Sequence, residues 1–205
     1  MRGDDHALPR DLPPLPTGWN WHSLGDLIER GRAISYGIVQ PGSYDLAGVP
    51  VLRADNVQNG HIQIDDVFRV SVDVESGYMR TRLRGGEVLL TVVGAYLGRA
   101  ATAPAGVSGW NVVRAVAVIP VGREIESEWV SLCLRSPAVQ RYIWNWVTTT
   151  AQPTLNLRDV ARLPIPLPPK TEREWLTNLL SGIEKKIELN RRMNETLEAI
   201  ARAIF

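Results

Sequence analysis

The sequence predicts an α+β protein in which a β-rich domain with short helices precedes one long C-terminal coiled-coil helix. Short β-branched runs closed by glycine or proline recur up to about residue 123. Apolar residues then take helical spacing between 126 and 149. Beyond a proline-rich stretch, they recur at alternating steps of four and three towards the C-terminus. Such a heptad pattern is typical of a coiled coil.

Composition sets the broad class. A chain of 205 residues with 44% hydrophobic residues can bury the core of one domain that carries an appendage. The formal net charge of +1 argues against a general polyanion binder, so any nucleic-acid surface must be a local patch. The single cysteine, Cys133, excludes an intramolecular disulfide and a thiolate zinc cluster. It favours a reducing compartment, and we expect a soluble cytoplasmic protein with no membrane segment.

Within the β-rich domain, strands are expected in 49–52, 87–93 and 112–121. A short helix is expected over Trp19–Arg30, with Leu24, Leu27 and Ile28 facing inward. Four segments follow from these patterns, namely a flexible leader at 1–16, a domain at 17–151, an extended strap at 152–170 and a helix at 171–205.

The helical zone that closes the domain divides in two. Ser136 is followed by Pro137, which is the order of an N-cap and a proline at the first helical position. Three threonines at 148–150 then favour an extended chain, because β-branched residues resist helix formation.

The C-terminal segment predicts a rigid connection and a long helix. Pro164, Pro166, Pro168 and Pro169 favour an extended, polyproline-like strap. A capping box of Thr171 with Glu174 follows, and the helix would reach roughly 50 Å. Its apolar seam predicts a dimer or partner interface; the seam residues are Leu176, Leu180, Ile183, Ile187, Asn190, Asn194, Leu197, Ala201 and Ile204.

Five motifs, taken with the strap and the long helix, have a recognisable order. They are 15–19 (LPTGW), 34–42 (ISYGIVQPG), 48–57 (GVPVLRADNV), 85–90 (GGEVLL) and 94–99 (GAYLGR). In this order and spacing they resemble the specificity subunits of type I restriction–modification systems. The usual glycine–aspartate before the hydrophobic strand is Gly86-Glu87 here, and Arg173 stands where a glutamine is usual.

The resemblance implies a target-recognition domain that reads one half of a split double-stranded DNA sequence. Members of this family normally carry two such domains and two long antiparallel helices, so this sequence corresponds to half a subunit. An antiparallel homodimer through the C-terminal helix would then read an interrupted palindrome. The resemblance implies methyltransferase and restriction subunits as partners. Those partners would hold S-adenosylmethionine, ATP and magnesium, and this chain no cofactor.

Candidate DNA contacts are polar residues next to predicted strands and turns. Arg80, Arg82 and Arg84 alternate, so on a strand they would share one face that could follow a phosphate backbone. A charged, solvated strand edge is the alternative. The other candidates are Tyr36, Gln40, Arg53, Asn56, Tyr96, Arg99, Asn111 and Arg114. For Tyr36, Asn56 and Tyr96, inward packing, turn stabilisation and a plain surface hairpin are the respective alternatives. Gln152 and Asn156 more plausibly close the domain against the strap.

No catalytic set is recognisable in the sequence. There is no adenine-methyltransferase pocket motif and no phosphate-binding lysine loop. His6, His22 and His61 are too scattered to predict a metal site. A non-enzyme is therefore expected. Two other functions stay open, namely a coiled-coil adaptor that binds protein rather than DNA, and the recognition fragment of a fused methyltransferase–endonuclease.

Overall fold

A computed structural model describes residues 7–147 and 153–204. The chain divides into two compact units, one ending at Pro168 and the other beginning at Pro169. The strands are β1 Asn20–Ser23, β2 Ser35–Tyr36, β3 Val49–Leu52, β4 Phe68–Val70, β5 Val88–Thr91, β6 Ala100–Thr102, β7 Asn111–Val112, β8 Val116–Ile119 and β9 Pro164–Leu167. The α-helices are α1 Val72–Ser76, α2 Ser127–Arg135, α3 Pro137–Trp146, α4 Leu157–Arg162 and α5 Lys170–Ile204. This order confirms the predicted α+β fold, β-rich with short helices and one long C-terminal helix.

A four-stranded sheet in the order β2-β8-β5-β6 forms the centre of the first unit. Every residue of β5 is buried, and its pairings with both neighbours are antiparallel. The core includes Leu52, Leu83, Leu89 and Val112, all essentially inaccessible to solvent. The predicted strands at 49–52, 87–93 and 112–121 each contain an observed strand. Short β-branched runs were therefore sufficient to find the core strands.

A second sheet has the strand order β4-β3-β7. Its residues and those of the first sheet contribute to one hydrophobic core. Strand β3 pairs antiparallel with β4 and parallel with β7. The segment after β2 also pairs with the segment after β7, through a parallel bridge between Ile38 and Val113. Leu52 and Val112 therefore belong to one core although they are 60 positions apart in the chain.

The expected helix over Trp19–Arg30 is wrong. The segment forms strand β1 and then a 3-10 turn at Leu24–Leu27. Strand β1 pairs antiparallel with β9, the proline-rich stretch near the end of the unit. Leu24 and Leu27 are buried as expected, because the 3-10 turn also places residues three apart on one face.

The predicted strap at 152–170 is also corrected. Its described part contains helix α4, capped by Asn156, whose side chain accepts from Asp159 N at 2.9 Å. Strand β9 follows and belongs to a sheet, because alternating prolines leave the intervening residues free to pair with β1. Asn156 is thus a helix cap, while Gln152 lies outside the described residues.

Residues 7–16 of the predicted leader are tied to the first unit. Trp21 Nε1 donates to Pro13 O at 3.0 Å, and Tyr142 Oη donates to Asp11 O at 3.2 Å. Arg162 Nε donates to Ala7 O at 3.1 Å. These hydrogen bonds place the described part of the leader against the first unit, and its flexibility stays a prediction.

The two-helix prediction is confirmed. Ser136 is the N-cap of α3 and accepts from Val139 N at 3.3 Å, with Pro137 in the first turn. Helix α2 packs on β5 and β6 and buries Cys133. Burial raises the pKa of the Cys133 thiol, which makes it an unreactive core residue. The threonines at 148–150 lie outside the described residues.

The second unit is α5 alone. The backbone N–H of Arg173 donates to Pro169 O at 2.9 Å, so the first turn begins before Thr171. The expected capping box with Glu174 is therefore wrong. Exposed apolar side chains run along α5, with Ile183 at 50%, Ile187 at 47% and Leu197 at 58% relative exposure. Among the described residues, no helix is both long and apolar enough to span a membrane.

The exposed apolar set of α5 is wider than the predicted seam. Leu189, Met193 and Ile200 are half exposed, and each directly precedes a predicted seam position occupied by Asn190, Asn194 or Ala201. In its C-terminal half the helix therefore presents a continuous apolar stripe beside the polar positions.

Candidate nucleic-acid interface

A cavity of about 920 Å³ opens in the first unit and is lined by many basic residues. Its wall includes Arg32, Arg80, Arg82 and Arg84, together with Tyr36. The remaining lining residues are Gly31, Ala33, Ile34, Ser35, Gly37, Val39, Gly77, Tyr78, Met79, Thr81 and Leu157. Four guanidinium groups around one concavity form the local basic patch that a nearly neutral chain requires for binding a polyanion. We call it the arginine cleft.

The arginine-bearing segment is not the predicted strand. Met79–Thr81 is a 3-10 turn that continues as an irregular extended stretch. The common face is nevertheless present, because Thr81 and Leu83 are buried while the three arginines line the cleft. Leu83 N donates to Trp110 O at 2.8 Å, and Gly109 N donates to Leu83 O at 2.8 Å. A buried leucine bonded to the neighbouring turn thus fixes the outward direction of Arg82 and Arg84.

Glu75 lies behind this segment and is 1% exposed. Its Oε1 accepts from Arg82 Nε at 2.9 Å, and its Oε2 accepts from Arg82 Nη2. Asn111 Nδ2 donates to the same carboxylate at 3.1 Å. The hydrogen bonds from Arg82 lower the pKa of Glu75, although burial opposes the shift. The carboxylate is therefore ionised at neutral pH and holds one edge of the Arg82 guanidinium.

Glu87 supports the other end of the segment and is 2% exposed. Its Oε1 accepts from Arg32 Nη2 at 2.9 Å and from the backbone N–H of Arg84 at 3.0 Å. Glu87 thus joins two walls of the cleft. Within the described parts of the chain, the side chains of Arg80 and Arg84 have no hydrogen-bond or ion-pair partner.

Tyr36 and Gly37 form the opposite wall. Tyr36 Oη donates to Leu155 O at 3.4 Å, and burial raises the pKa of the phenol while the nearby Arg114 charge opposes the rise. A Cβ on Gly37 would lie 1.9 Å from Val112 O. Glycine is therefore required here for β2 to reach β7. Arg114 itself is exposed, with its backbone N–H bonded to Ile38 O at 2.8 Å.

Tyr96 and Arg99 form a second cluster, at the loop between β5 and β6. The Arg99 guanidinium lies 4.3 Å from the centre of the Tyr96 ring, and its Nη1 donates to Gln58 Oε1 at 2.9 Å. The loop is held because Thr91 Oγ1 donates to Tyr96 O and Gln140 Nε2 donates to Gly98 O at 2.8 Å. The pair is preformed and partly exposed, which is compatible with contact to a phosphate or a base.

Arg53 and Asn56 lie in the turn after β3. Asn56 is 5% exposed, and its Oδ1 accepts from Arg53 N at 2.8 Å. Its Nδ2 donates to Gln63 O and to Asp66 O, both at 3.2 Å. The turn-stabilising alternative therefore describes Asn56, which has no free donor for DNA. Arg53 pairs with Asp55 at 3.2 Å and remains half exposed.

The prediction for Asn111 also needs correction, because this residue is fully buried. Its Nδ2 donates to Glu75 and to Tyr78 O, and its Oδ1 accepts from Thr81 Oγ1 at 2.7 Å. Asn111 thus supports the cleft from below. Gln40 is exposed on the loop after Val39, where it stays a predicted contact.

Two residues of these clusters were missed from the sequence. Arg32 lies in a loop outside the quoted motifs, and its ion pair with Glu87, 55 residues later in the chain, gives no local signal. Gln58 gave no signal because its partner Arg99 is 41 residues away. Among the described residues, no group of histidine, cysteine, aspartate or glutamate side chains could hold a metal ion.

The chain thus combines a β-rich domain that contains a cleft with four arginines and one long helix with an exposed apolar face. Residues 16–199 match the family model described as type I restriction modification DNA specificity domain. The chain is 29% identical over 199 residues to the type I restriction enzyme EcoBI specificity subunit of Escherichia coli, covering 92% of this chain and 42% of that protein. It is 22% identical over 201 residues to a putative type I restriction enzyme MjaX specificity subunit of Methanocaldococcus jannaschii, covering 94% and 45%.

Solved structures share the fold. A chain from a study of complex assembly and conformational transition of the type I R-M system superposes with a TM-score of 0.65 at 20% identity, covering 94% of this chain and 45% of that one. The HsdS subunit of Thermoanaerobacter tengcongensis gives a TM-score of 0.58 at 18% identity, covering 90% and 42%. The chain spans less than half the length of these relatives. It belongs to the type I restriction–modification DNA specificity family.

Proposed function

We propose that this chain is a DNA sequence-recognition subunit of a type I restriction–modification system and that its first unit reads one half of a bipartite target. The family match over residues 16–199 carries this proposal. The arginine cleft supports it, because Arg80 and Arg84 present charge that no described carboxylate neutralises. Phosphate contacts from such arginines set the register on DNA, and other side chains read base edges.

Chemistry is then supplied by partners. The chain would carry no cofactor and no catalytic residue, while a methyltransferase subunit binds S-adenosylmethionine and a restriction subunit binds ATP and magnesium. Such a complex acts on DNA in the cytoplasm. The proposal assigns to this chain only sequence readout and geometry.

Helix α5 supports a homodimer. Its leucine, isoleucine and methionine side chains are only about half exposed, so full burial of each would gain about 1 kcal/mol, half of what a fully exposed side chain would gain. An antiparallel twofold pair would bury this face against its own copy and place a recognition unit at each end. The target would then be an interrupted palindrome whose gap is set by the helix.

Methylome sequencing tests the function directly. Cells that express the chain with its cognate methyltransferase subunit should acquire one methylated motif, made of two inverted half-sites with a fixed gap. Cells that express either subunit alone serve as controls and should remain unmodified. Absence of a motif in the co-expressing cells would contradict DNA readout, and an asymmetric motif would contradict the homodimer.

A further inference from the structure

From the geometry of the Glu75–Arg82 pair, we infer that Arg82 is a specificity-determining residue that reads a guanine, and that Glu75 is the positioning residue that orients it. This inference rests on the proposed DNA-recognition function and deepens it. The other arginines of the cleft differ from Arg82 in their hydrogen-bond and ion-pair partners and in their exposure.

Glu75 engages one defined edge of the guanidinium. Nε and Nη2 of Arg82 both face the carboxylate, with Nε at 2.9 Å from Oε1. The edge between Nη1 and Nη2 is left for an external acceptor pair. Guanine presents such a pair in the major groove as N7 and O6, and bidentate arginine is its commonest partner. Phosphate could also accept from this edge, but it would not require so fixed an orientation.

The carboxylate is itself immobile. Glu75 is 1% exposed, and Asn111 donates to it at 3.1 Å from a fully buried position. Asn111 is fixed in turn by Thr81 Oγ1 at 2.7 Å. The Arg82 side chain keeps 40% exposure although it is bonded to this buried network. A charged group that is both exposed and preorganised loses little conformational entropy on binding, which favours discrimination between bases.

Arg80 and Arg84 provide the contrast. Their side chains line the same cavity without an ion-pair partner among the residues that the structure describes. Arginines that no carboxylate holds suit phosphate contacts, which carry no sequence information directly. Arg32, whose Nη2 is bound to Glu87, is only 16% exposed in its side chain. Arg82 thus combines fixed geometry with access to a ligand.

The test compares the motifs that the complex of full-length chain and methyltransferase subunit modifies in cells. Wild type should require guanine at one position of each half-site. Arg82→Lys keeps the charge and the pairing with Glu75 but lacks a second donor edge. Glu75→Gln keeps the shape but weakens the hold on Arg82. Both variants should accept other bases at that one position and keep the remaining motif. Glu128→Gln, the same charge change at an exposed site on α2, should leave the motif unchanged.

A chemical probe gives an independent readout. Replacing the required guanine by 7-deazaguanine removes only the N7 acceptor, so wild-type affinity should fall roughly tenfold. The same replacement should cost Arg82→Lys and Glu75→Gln little. An unchanged motif together with full sensitivity to 7-deazaguanine in Arg82→Lys would overturn the inference. Because the Arg82 side chain is partly exposed, Arg82→Lys should fold, and it tests the inference even if Glu75→Gln does not fold. A wild-type complex that modifies no motif would instead refute the proposed function.

Discussion

The carboxylate of Glu87 accepts a 2.9 Å hydrogen bond from Arg32, 55 residues earlier in the chain, and joins two walls of the arginine cleft. The same oxygen accepts the backbone N–H of Arg84 at 3.0 Å. A single buried side chain thus holds both the position of Arg32 and the path of the arginine-bearing segment. Most of the cleft is organised in this way, by groups that lie beneath it.

Removing the Glu87 carboxylate should destabilise the first unit. Glu87→Ala leaves Arg32 and the Arg84 N–H without their acceptor, so the free energy of unfolding should fall by about 3 kcal/mol. Urea unfolding followed by circular dichroism measures this change. Glu87→Asp should lose less because it keeps the charge. Equal losses for alanine and aspartate would argue against the ion pair as the cause.

Glu75 should make stability depend on pH in the acid range. Its folded-state pKa is lowered, chiefly by the hydrogen bonds from Arg82, so its stabilising contribution is full above the unfolded value of about 4.3. That contribution is lost as the pH falls through the lower folded value. Glu75→Gln should cost about 1–2 kcal/mol at neutral pH, since Arg82 is partly exposed. Between about pH 5 and pH 3, the variant should therefore lose less stability than wild type. Parallel stability curves would contradict this assignment.

Gly37 should be intolerant of a side chain. A Cβ would lie 1.9 Å from Val112 O, and the neighbouring residues Tyr36 and Ile38 are both paired with other segments of the sheets. Gly37→Ala should therefore lower the free energy of unfolding by about 3 kcal/mol or more, as a severe case of overpacking. Gly106→Ala is the matched control, because nothing lies within 4 Å of its added Cβ. Thermal unfolding of both variants should separate them, and similar melting temperatures would show that the strands can shift apart.

Sequence patterns located the core strands and the α2–α3 junction because those signals are local. Val88–Leu90 is a continuous apolar run, and Ser136-Pro137 is a self-contained cap. Strand β1 was missed because its pairing partner β9 lies about 140 residues away. Trp19–Arg30 alone gives no sign of that partner, and helical spacing of its leucines fits a 3-10 turn equally well.

The cleft was predictable in part, because one of its sequence signals is also local. The alternation of Arg80, Arg82 and Arg84 was visible, and it found the basic face although the strand was wrong. The roles of Glu75 and Asn111 depend on contacts between residues 36 apart. The prediction that Asn111 contacts DNA is therefore wrong, because Asn111 is buried and donates a hydrogen bond to Glu75.

Arg80 and Arg84 should contribute to DNA affinity through phosphate contacts. Each alanine substitution should reduce the slope of log affinity against log salt concentration by about 0.9, the loss expected for one neutralised phosphate. Fluorescence anisotropy with a duplex of mixed sequence, repeated over a range of salt concentrations, gives the slope. Arg141→Ala is the control, since it is exposed on α3 and outside the cleft lining. A slope unchanged by either cleft substitution would place DNA elsewhere on the unit.

Pairing of α5 should depend on the apolar stripe rather than on the asparagines beside it. Met193 and Ile200 are half exposed, and burying them with Leu197 gains more than burying Asn194 and Ala201. Met193→Glu should therefore weaken self-association by at least about tenfold, because a charge would enter an apolar interface. Asn194→Glu introduces the same charge one position away and should be tolerated. Sedimentation equilibrium of the full chain compares the two variants with wild type, which we expect at twice the chain mass. The opposite order of effects would instead support an interface through Asn190 and Asn194. A wild-type monomer at micromolar concentration would contradict the proposed dimer.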